Sequence, residues 1–417
     1  MDLEKEIEAS MKADSTSSSF LLVANPGSAS RKYALYQGDT KVLDVHFELA
    51  DKTVVYSVNG GEPRPAGISH VAFAASHLPA VIKDNLEASA PKDIDGDADT
   101  SDEATPNIAV VAVRVVAPST YYQQHRRLDK AAIQKLKDLE TIAPLHISAT
   151  LQEIQLLERF LPASKLVGIS DSAFHATLTE PARSYGIPGD VAKQLDIKRF
   201  GYHGLSVQSV VRLLSQYHSL PERLIVCHLG SGASVTAVKH GSSFDTTMGY
   251  SPLEGLLMAT RSGNLDPTAA LVLQAELKLS PVQLQEYLNH SSGLLGVSGI
   301  SDDIRELLAK EETHPSAKLA LDMYVYRVRQ AIGQMAAAMG GLDALIFTGT
   351  VGERSVIMRK RIGQKLNFLG IEIASPAHKN AVGIQQITKI SPSGSPVSVY
   401  VVPTDEMTMM AKLAEEL

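Results

Sequence analysis

The chain has 417 residues, 44% of them hydrophobic, with 39 basic against 46 acidic side chains and a net charge of −7, which argues for two or three domains with sizeable cores and against nucleic acid as a main partner. The single cysteine, Cys227, excludes an internal disulfide and a Cys-only metal cluster, and the absence of Trp leaves little for aromatic stacking platforms. No apolar stretch approaches the ~20 residues of a membrane-spanning helix, and the acidic opening Met1-Asp2-Leu3-Glu4 is unlike a signal peptide, so a cytoplasmic setting without a membrane partner is expected.

Residues 1–19 read as a polar tail ending in a serine run. A buried-strand pattern begins at Phe20-Leu21-Leu22-Val23-Ala24, and strands follow near 33–36 and 42–47. Apolar runs at 71–73 and 108–116 bracket a segment, 83–107, that holds eight acids against two lysines. Its centre, Asp93-Ile94-Asp95-Gly96-Asp97-Ala98-Asp99, invites a calcium reading. An EF-hand loop counted from Asp93 needs Gly and an acid where Ala98 and Ala104 stand, so a solvated acidic loop is the reading kept.

Helical periodicity then covers 129–139 and 148–160, followed by a strand at 165–169, a helix at 205–217 and strands at 223–228 and 234–239. Further helices are expected at 265–277, 281–289, 302–310, 316–339 and 354–366, the fourth of these closed by Gly340-Gly341. Strands at 344–348 and 397–402 and a last helix from Asp405 complete an α/β pattern.

The segment Leu22-Val23-Ala24-Asn25-Pro26-Gly27-Ser28-Ala29-Ser30 is echoed by Ile225-Val226-Cys227-His228-Leu229-Gly230-Ser231-Gly232-Ala233. Each is an apolar strand, a Gly-Ser turn and a second strand, which suggests a duplicated fold with a cleft between the halves. A third glycine turn, Gly349-Thr350-Val351-Gly352-Glu353, leads from a strand into a helix. Glycine lets a backbone approach a ligand closely, and exposed amides in such turns and at helix starts favour anions. Each turn alone could be an ordinary polar β-turn; three together point to a nucleotide or phosphoryl ligand. None is a Walker A loop, because no Gly-Lys-Ser/Thr follows at the required spacing.

The candidate cations and acid–base groups are Arg114, inside the apolar strand Val111-Ala112-Val113-Arg114-Val115-Val116; Arg261, in Met258-Ala259-Thr260-Arg261-Ser262-Gly263; and His203, in Gly201-Tyr202-His203-Gly204. An arginine in such a strand must be paired or face a cleft, because burying it bare is costly. Singly, each is as readily a packing or surface residue.

Taken together these segments resemble the acetate kinase family, which includes propionate and butyrate kinases and belongs with sugar kinases, heat-shock chaperones and actin. Asn25 to Lys32 resembles the family's opening Asn-x-Gly-Ser-Ser-Ser-x-Lys, Tyr202-His203-Gly204 its Phe-His-Gly turn, and His228 to Gly232 its His-Leu-Gly-Asn-Gly phosphate turn. The block Asp245-Thr246-Thr247-Met248-Gly249-Tyr250-Ser251-Pro252-Leu253-Glu254-Gly255, continued by Thr260-Arg261-Ser262-Gly263-Asn264-Leu265-Asp266-Pro267, is a near-complete family signature. Thr404-Asp405-Glu406-Met407 resembles the closing Thr-Asn-Glu-Glu.

The resemblance implies two actin-like (ribonuclease H-like) α/β domains, over 20–200 and 201–417, with the stretch from about 385 packing back on the first. It implies transfer of the γ-phosphoryl group of ATP to acetate or a close short-chain acid, in a homodimer formed through the second half. The implied catalytic residues are Asp171, His203, Arg261 and Arg114, and the implied acyl pocket is Val116, Leu145, Tyr202 and Pro252. Nucleotide and phosphate contacts fall on Ser28, Ser30, Lys32, His228, Gly230, Ser231, Gly232, Asp303, Arg305, Gly349, Thr350, Val351, Gly352 and Glu353. Mg2+, or Mn2+, would be held by Asn25 and Glu406.

The chemistry is consistent with that set. A carboxylate attacking a phosphoryl group needs no general base; it needs alignment and neutralised charge, which arginines, a histidine, a lysine and a divalent ion supply. Domain closure would exclude water. This chain departs from the family pattern at Ala117-Pro118-Ser119, where His-Gly-Gly is usual, and at Ser231, Tyr202, Thr350, Ile304 and Arg354. These departures bear on the preferred acid and on the donor, ATP or pyrophosphate, more than on the reaction. A non-catalytic nucleotide-binding relative is the rival reading, and the retained cationic set argues against it.

Overall fold

The computed structural model describes residues 19–27, 30–50, 52–89, 106–217 and 219–417. The core of the acidic segment, with its calcium alternative, and Ser28 lie outside these residues. Two compact units emerge. The first comprises the chain up to Ala117, His125–Ser170 and Met407–Leu417; the second comprises Pro118–Gln124 and Asp171–Glu406.

The first unit is built on strands β1 (Phe20–Pro26), β2 (Ser30–Gln37), β3 (Thr40–Ala50), β4 (Thr53–Val58), β5 (Arg64–Pro65), β6 (Ile108–Val115), β7 (Arg126–Arg127) and β8 (Lys165–Ser170). They form one sheet in the order β5-β4-β3-β2-β1-β6-β8-β7. β1, β2 and β3 pair antiparallel, while β6 and β8 add to β1 in parallel. Helices Ala74–Ser89 and Pro144–Phe160 pack on this sheet. The run Val71–Phe73 is a 3-10 turn that opens the first of these helices, and the helix extends into the start of the acidic segment.

The second unit holds β9 (Arg223–Leu229), β10 (Ala233–Lys239), β11 (Ser242–Thr246), β12 (Ala344–Thr348), β13 (Thr388–Lys389) and β14 (Ser398–Val401), in the order β11-β10-β9-β12-β14-β13. Pairing is antiparallel from β9 to β10 and β11, and parallel from β9 to β12 and β14. The arrangement β3-β2-β1-β6-β8 of the first unit therefore recurs as β11-β10-β9-β12-β14. The two Gly-Ser segments of the sequence are the β1–β2 and β9–β10 hairpins at equivalent places, so the fold is a duplicated α/β fold of the actin-like kind.

Helix Gly204–Tyr217 lays Val207, Val210 and Leu214 against Leu224, Val226, Val238 and Ile346 of the second sheet, all buried. Burying each such side chain contributes roughly 1.5–3 kcal/mol. Helix Pro315–Met339 also packs on this sheet. Its apolar residues recur at helical spacing, from Ala317 and Leu321 through Tyr324, Val328, Ile332 and Met335, and are buried. Proline at its first turn and Gly340 in the left-handed region at its end set its limits.

The unit boundaries differ from those expected. The change of unit comes after Ser170 rather than near 200, because the stretch that begins at Asp171 is bonded to the Tyr202–Gly204 turn of the second unit. Of the stretch from 385 onward, β13 and β14 belong to the second sheet, and only Met407–Leu417 joins the first unit. That last helix buries Met407, Met410 and Leu413, and its Thr408 hydroxyl lies 3.0 Å from that of Tyr36. The helix expected over 354–366 runs Val356–Gly363, capped by the Ser355 side chain, and a short separate helix, Gly349–Arg354, precedes it.

Candidate active site

The main stretch of the second unit begins at Asp171, which is 1% exposed. Its Oδ2 accepts the His203 backbone N–H at 2.8 Å, and its carbonyl accepts that of Gly204 at 2.9 Å. Asp171 therefore clamps the turn that starts helix Gly204–Tyr217, where His203 sits at φ 59°. The turn is held from the other side by the fully buried His175. Its Nε2 lies 3.0 Å from the Tyr202 carbonyl and its Nδ1 2.8 Å from the Ser243 hydroxyl of β11. Burial lowers the His175 pKa from 6.5 to about 4, so the ring is neutral near pH 7. A neutral ring bonded in this way must donate from Nε2 to the carbonyl.

His203 projects onto the β9–β10 turn. Its Nδ1 is 3.0 Å from the Ser234 hydroxyl, and its ring lies 4.3 Å from that of His228. A β-carbon on Gly232 would stand 3.1 Å from His203 Nε2 and 3.7 Å from Arg261 Nη1, so only glycine allows both groups this close to the turn. Arg261 Nη1 also donates to the Pro252 carbonyl at 3.3 Å. The turn itself is closed by a bond from Gly230 N to Gly232 O, 2.9 Å. An imidazole and a guanidinium thus converge on one glycine turn with Asp171 behind them. Such an arrangement suits an oxyanion or a phosphoryl group.

The third glycine turn abuts the second. Gly349 lies at φ 76°, and a β-carbon there would fall 2.8 Å from the Leu229 carbonyl oxygen. Helix Gly349–Arg354 begins at that point and contains Thr350, Val351, Gly352 and Glu353. Glu353 Oε1 accepts the backbone N–H of Gly349 (3.0 Å) and Thr404 (3.1 Å), fastening the start of Thr404-Asp405-Glu406 to this turn. Burial raises its pKa, against those donors. Asp303 and Arg305 pair with each other, Nη2 to Oδ2 at 2.5 Å, where Asp303 caps helix Ile304–Lys310.

Tyr202 and Pro252 are both buried. The Tyr202 hydroxyl donates to the Tyr250 carbonyl at 2.7 Å, which satisfies the extra oxygen that this position carries relative to Phe. The loop bearing Pro252 is braced by Glu254, which accepts from Arg199 Nη2 at 2.7 Å and from the Tyr185 hydroxyl.

In the first unit, the parallel register of β1 and β6 pairs Ala24 with Val113, and Arg114 Nη1 donates to Asn25 Oδ1 at 3.3 Å. Lys32 is exposed, Ser30 and Val116 are half-buried, and Leu145 lies in helix Pro144–Phe160. Between Ser30 and Lys32, strand alternation sends Arg31 inward, where its Nε meets Glu153 Oε2 at 3.2 Å. Tyr33 OH donates to the other oxygen of Glu153 at 2.7 Å.

Among the described residues, no group of three or more His, Cys, Asp and Glu could hold a metal ion alone. Asn25 in the first unit and Glu406 in the second each carry a hard oxygen donor of the kind a Mg2+-type ion takes. No described helix is long and apolar enough to cross a membrane.

The sequence singled out His203, Arg261, Asp171, His228 and three glycine turns, and the structure brings the four side chains and the second and third turns together in the second unit, the first turn lying in the first unit. It did not single out Ser234, Ser206, Glu254, Arg199, His175 as a brace, or the Arg31–Glu153 pair. The signal for two of them was a polar residue beside apolar ones: Ser234 in Ala233-Ser234-Val235, and Glu153 one turn before Leu157 on its helix.

A twice-repeated sheet with glycine turns after its parallel strands, and a histidine, an arginine and an aspartate at one of those turns, define the class of actin-like phosphate-handling proteins. A model described as the Acetokinase family matches residues 20–412, and the chain belongs to that family. It is 40% identical over 314 residues to an acetate kinase of Clostridium botulinum (strain Okra / Type B1), covering 74% of this chain and 78% of the relative. Identity is also 40%, over 305 residues, to an acetate kinase of Brachyspira hyodysenteriae, covering 73% of this chain and 76% of the relative. The crystal structure of Porphyromonas gingivalis acetate kinase superposes with a TM-score of 0.79 at 32% identity, covering 95% of this chain and 99% of that one. A propionate kinase from Francisella tularensis gives 0.82 at 29% identity, covering 96% and 100%. The family is one of carboxylate phosphotransferases that bind ATP and a short-chain carboxylate and typically use a divalent metal.

Proposed function

We propose that this chain is a short-chain carboxylate kinase that reversibly transfers the γ-phosphoryl group of ATP to acetate, or to a close analogue such as propionate or butyrate, giving acyl phosphate and ADP. The observation that carries this reading is the convergence of His203 Nε2 and the Arg261 guanidinium on the Gly230–Gly232 turn, with Asp171 fixing the histidine's backbone. The substrate carboxylate is itself the nucleophile, so the protein's work is to hold donor and acceptor in line and to neutralise charge on the transferring group. In the second unit that role falls to His203, Arg261 and the amides of the two glycine turns, with Asp171 orienting. In the first it falls to Arg114, Lys32 and Ser30. Asn25 and Glu406 are the proposed donors to Mg2+, which when bound neutralises phosphate charge. Tyr202 and Pro252 contribute apolar walls for the acyl tail.

A homodimer is part of the proposal. Most of the apolar surface of helix Pro315–Met339 is spent within its own unit, yet Leu319 and Tyr326, one heptad apart on this helix, remain 53% and 57% exposed.

The test is a product assay with hydroxylamine present, across acetate, propionate and butyrate, with ATP and then pyrophosphate as donor. Hydroxamate and ADP in step with one another are the expected result. No hydroxamate with any acid or donor overturns the reading. Within the same assay, Arg261→Ala is expected to lower kcat by roughly 100-fold or more while leaving Tm nearly unchanged. Wild-type turnover in that variant removes Arg261 from its role.

A further inference from the structure

We infer that Ser234 sets the tautomer of His203, keeping the proton on Nε2 in both charge states of the ring, so that this histidine acts as a hydrogen-bond donor to the phosphoryl group and not as a base. The inference rests on the reading of His203 as a contact to the transferring group.

Ser234 is fully buried, the second residue of β10, paired in register with His228 of β9. It is a polar side chain in an otherwise apolar stretch of strand, and its hydroxyl lies 3.0 Å from His203 Nδ1. A hydroxyl can donate or accept. Ser234 is fully buried and Nδ1 is the one acceptor its hydroxyl reaches among the described residues, so when the ring is neutral the hydroxyl donates there and the ring proton stays on Nε2. When the ring is charged, Nδ1–H donates to the hydroxyl oxygen, and Nε2 again carries a proton. Nε2 is the atom directed at Gly232 and the Arg261 side.

A carboxylate in place of Ser234 would do the opposite. It only accepts, so it would hold the proton on Nδ1 and leave neutral Nε2 as a bare base, the arrangement of hydrolytic triads. A reaction whose nucleophile is already ionised has no use for that base, and a bare nitrogen lone pair would repel phosphoryl oxygens.

The same device occurs at the neighbouring ring. His228 Nδ1 lies 2.7 Å from the Ser206 hydroxyl, and Ser206 in turn accepts from the Thr404 hydroxyl at 2.8 Å. With ring centroids 4.3 Å apart, charging both imidazoles together is disfavoured. The charged groups that face His203 are Asp171, which favours its imidazolium, and Arg261 and His228⁺, which oppose it.

The test is kcat at saturating Mg·ATP and acid from about pH 5 to 8, the span in which an imidazole changes charge. The unmodified full-length chain is expected to show no fall across the upper half of that span. Ser234→Ala is expected to stay close to it at the acid end, where the ring carries both protons. Toward pH 8 it should fall by up to about twofold, as the neutral ring divides its proton between Nδ1 and Nε2. Ser234→Thr, which keeps the hydroxyl, is expected to keep the flat profile. An unchanged profile in Ser234→Ala overturns the inference, and so does a loss equal at every pH, the mark of a merely structural role. Nitrogen NMR of the imidazoles, with His203 identified by its disappearance in His203→Gln, provides a readout independent of turnover. Neutral His203 must show a protonated Nε2 in the unmodified chain and a mixture in Ser234→Ala, and a bare Nε2 in the unmodified chain overturns the inference. If the unmodified chain makes no hydroxamate, the proposed reaction falls, and the NMR result still decides the tautomer.

Discussion

In the first sheet, the turn after β1 is followed by a strand that drives Arg31 into the core against Glu153 of helix Pro144–Phe160, with Tyr33 on the same carboxylate; all three are 2% exposed or less. In the second sheet, the equivalent turn after β9 is backed by neutral groups: Ser234 on His203, Ser206 on His228, and the carbonyl of Leu229 against Gly349. The strand order is the same, but one hairpin is anchored by a buried ion pair and the other by hydroxyl–imidazole bonds. A buried ion pair fixes geometry but tolerates no missing partner, because its desolvation cost is already incurred. Neutral hydrogen bonds hold more weakly, yet they leave the field at the turn to the cations meant for a ligand. This difference suits a hairpin that must be rigid on one side and one that must handle charge on the other.

The comparison breaks most visibly at Glu153. Glu153→Gln keeps the shape and leaves the Arg31 guanidinium buried without its counter-charge, so unfolding free energy should drop by about 3–5 kcal/mol in denaturant titration. Replacing both partners, as in Arg31→Met with Glu153→Leu, should recover most of that loss. A double variant as unstable as the single one would show that the pair is not the anchor.

His175 gives the next largest effect, and its sign follows from burial. The folded ring takes a proton only near pH 4, whereas the unfolded ring does so near its ordinary 6.5. The unfolded chain therefore binds more protons between those values, and stability present above pH 6.5 is lost as pH falls toward 4. The loss reaches on the order of 3 kcal/mol. His378 is also lowered to about 4 by burial and shares this window. The measurement is therefore the difference in slope between the unmodified chain and His175→Gln, which should be flatter by one titrating group. Equal slopes would mean that His175 is not buried neutral as described.

Part of the second sheet was legible in the sequence, because β9 and β12 are apolar runs followed by glycine, and the helix Pro315–Met339 shows its period and its stop. The family signature located His203, Arg261 and Asp171 because turns built for close approach need particular residues in fixed order. Other features are set by tertiary contact and leave only faint marks. The helix Ala74–Ser89, with Pro79 inside it, has no clean start signal, since its cap is a short 3-10 turn. That Glu353 fastens Thr404 depends on where a distant loop returns. The change of unit after Ser170 depends on which side claims Asp171, and a hydrogen bond to His203, 32 positions along the chain, decides that.

The smallest stability effect tests the contrast most finely, because it separates anchoring from chemistry at the second hairpin. Ser234→Ala removes a neutral hydroxyl from a strand that keeps its backbone pairing with β9 and its packing, so the stability loss should be about 1 kcal/mol, the usual worth of such a bond. That is several-fold below the loss for Glu153→Gln, measured in the same titration, even though both residues sit directly beneath a glycine hairpin. If Ser234→Ala costs as much as Glu153→Gln, the second hairpin is anchored through its serine, and the two halves of the duplication are held alike. If the loss is small while the pH–rate profile changes, the first hairpin spends its buried polar groups on rigidity. The second then spends its own on the protonation of one histidine.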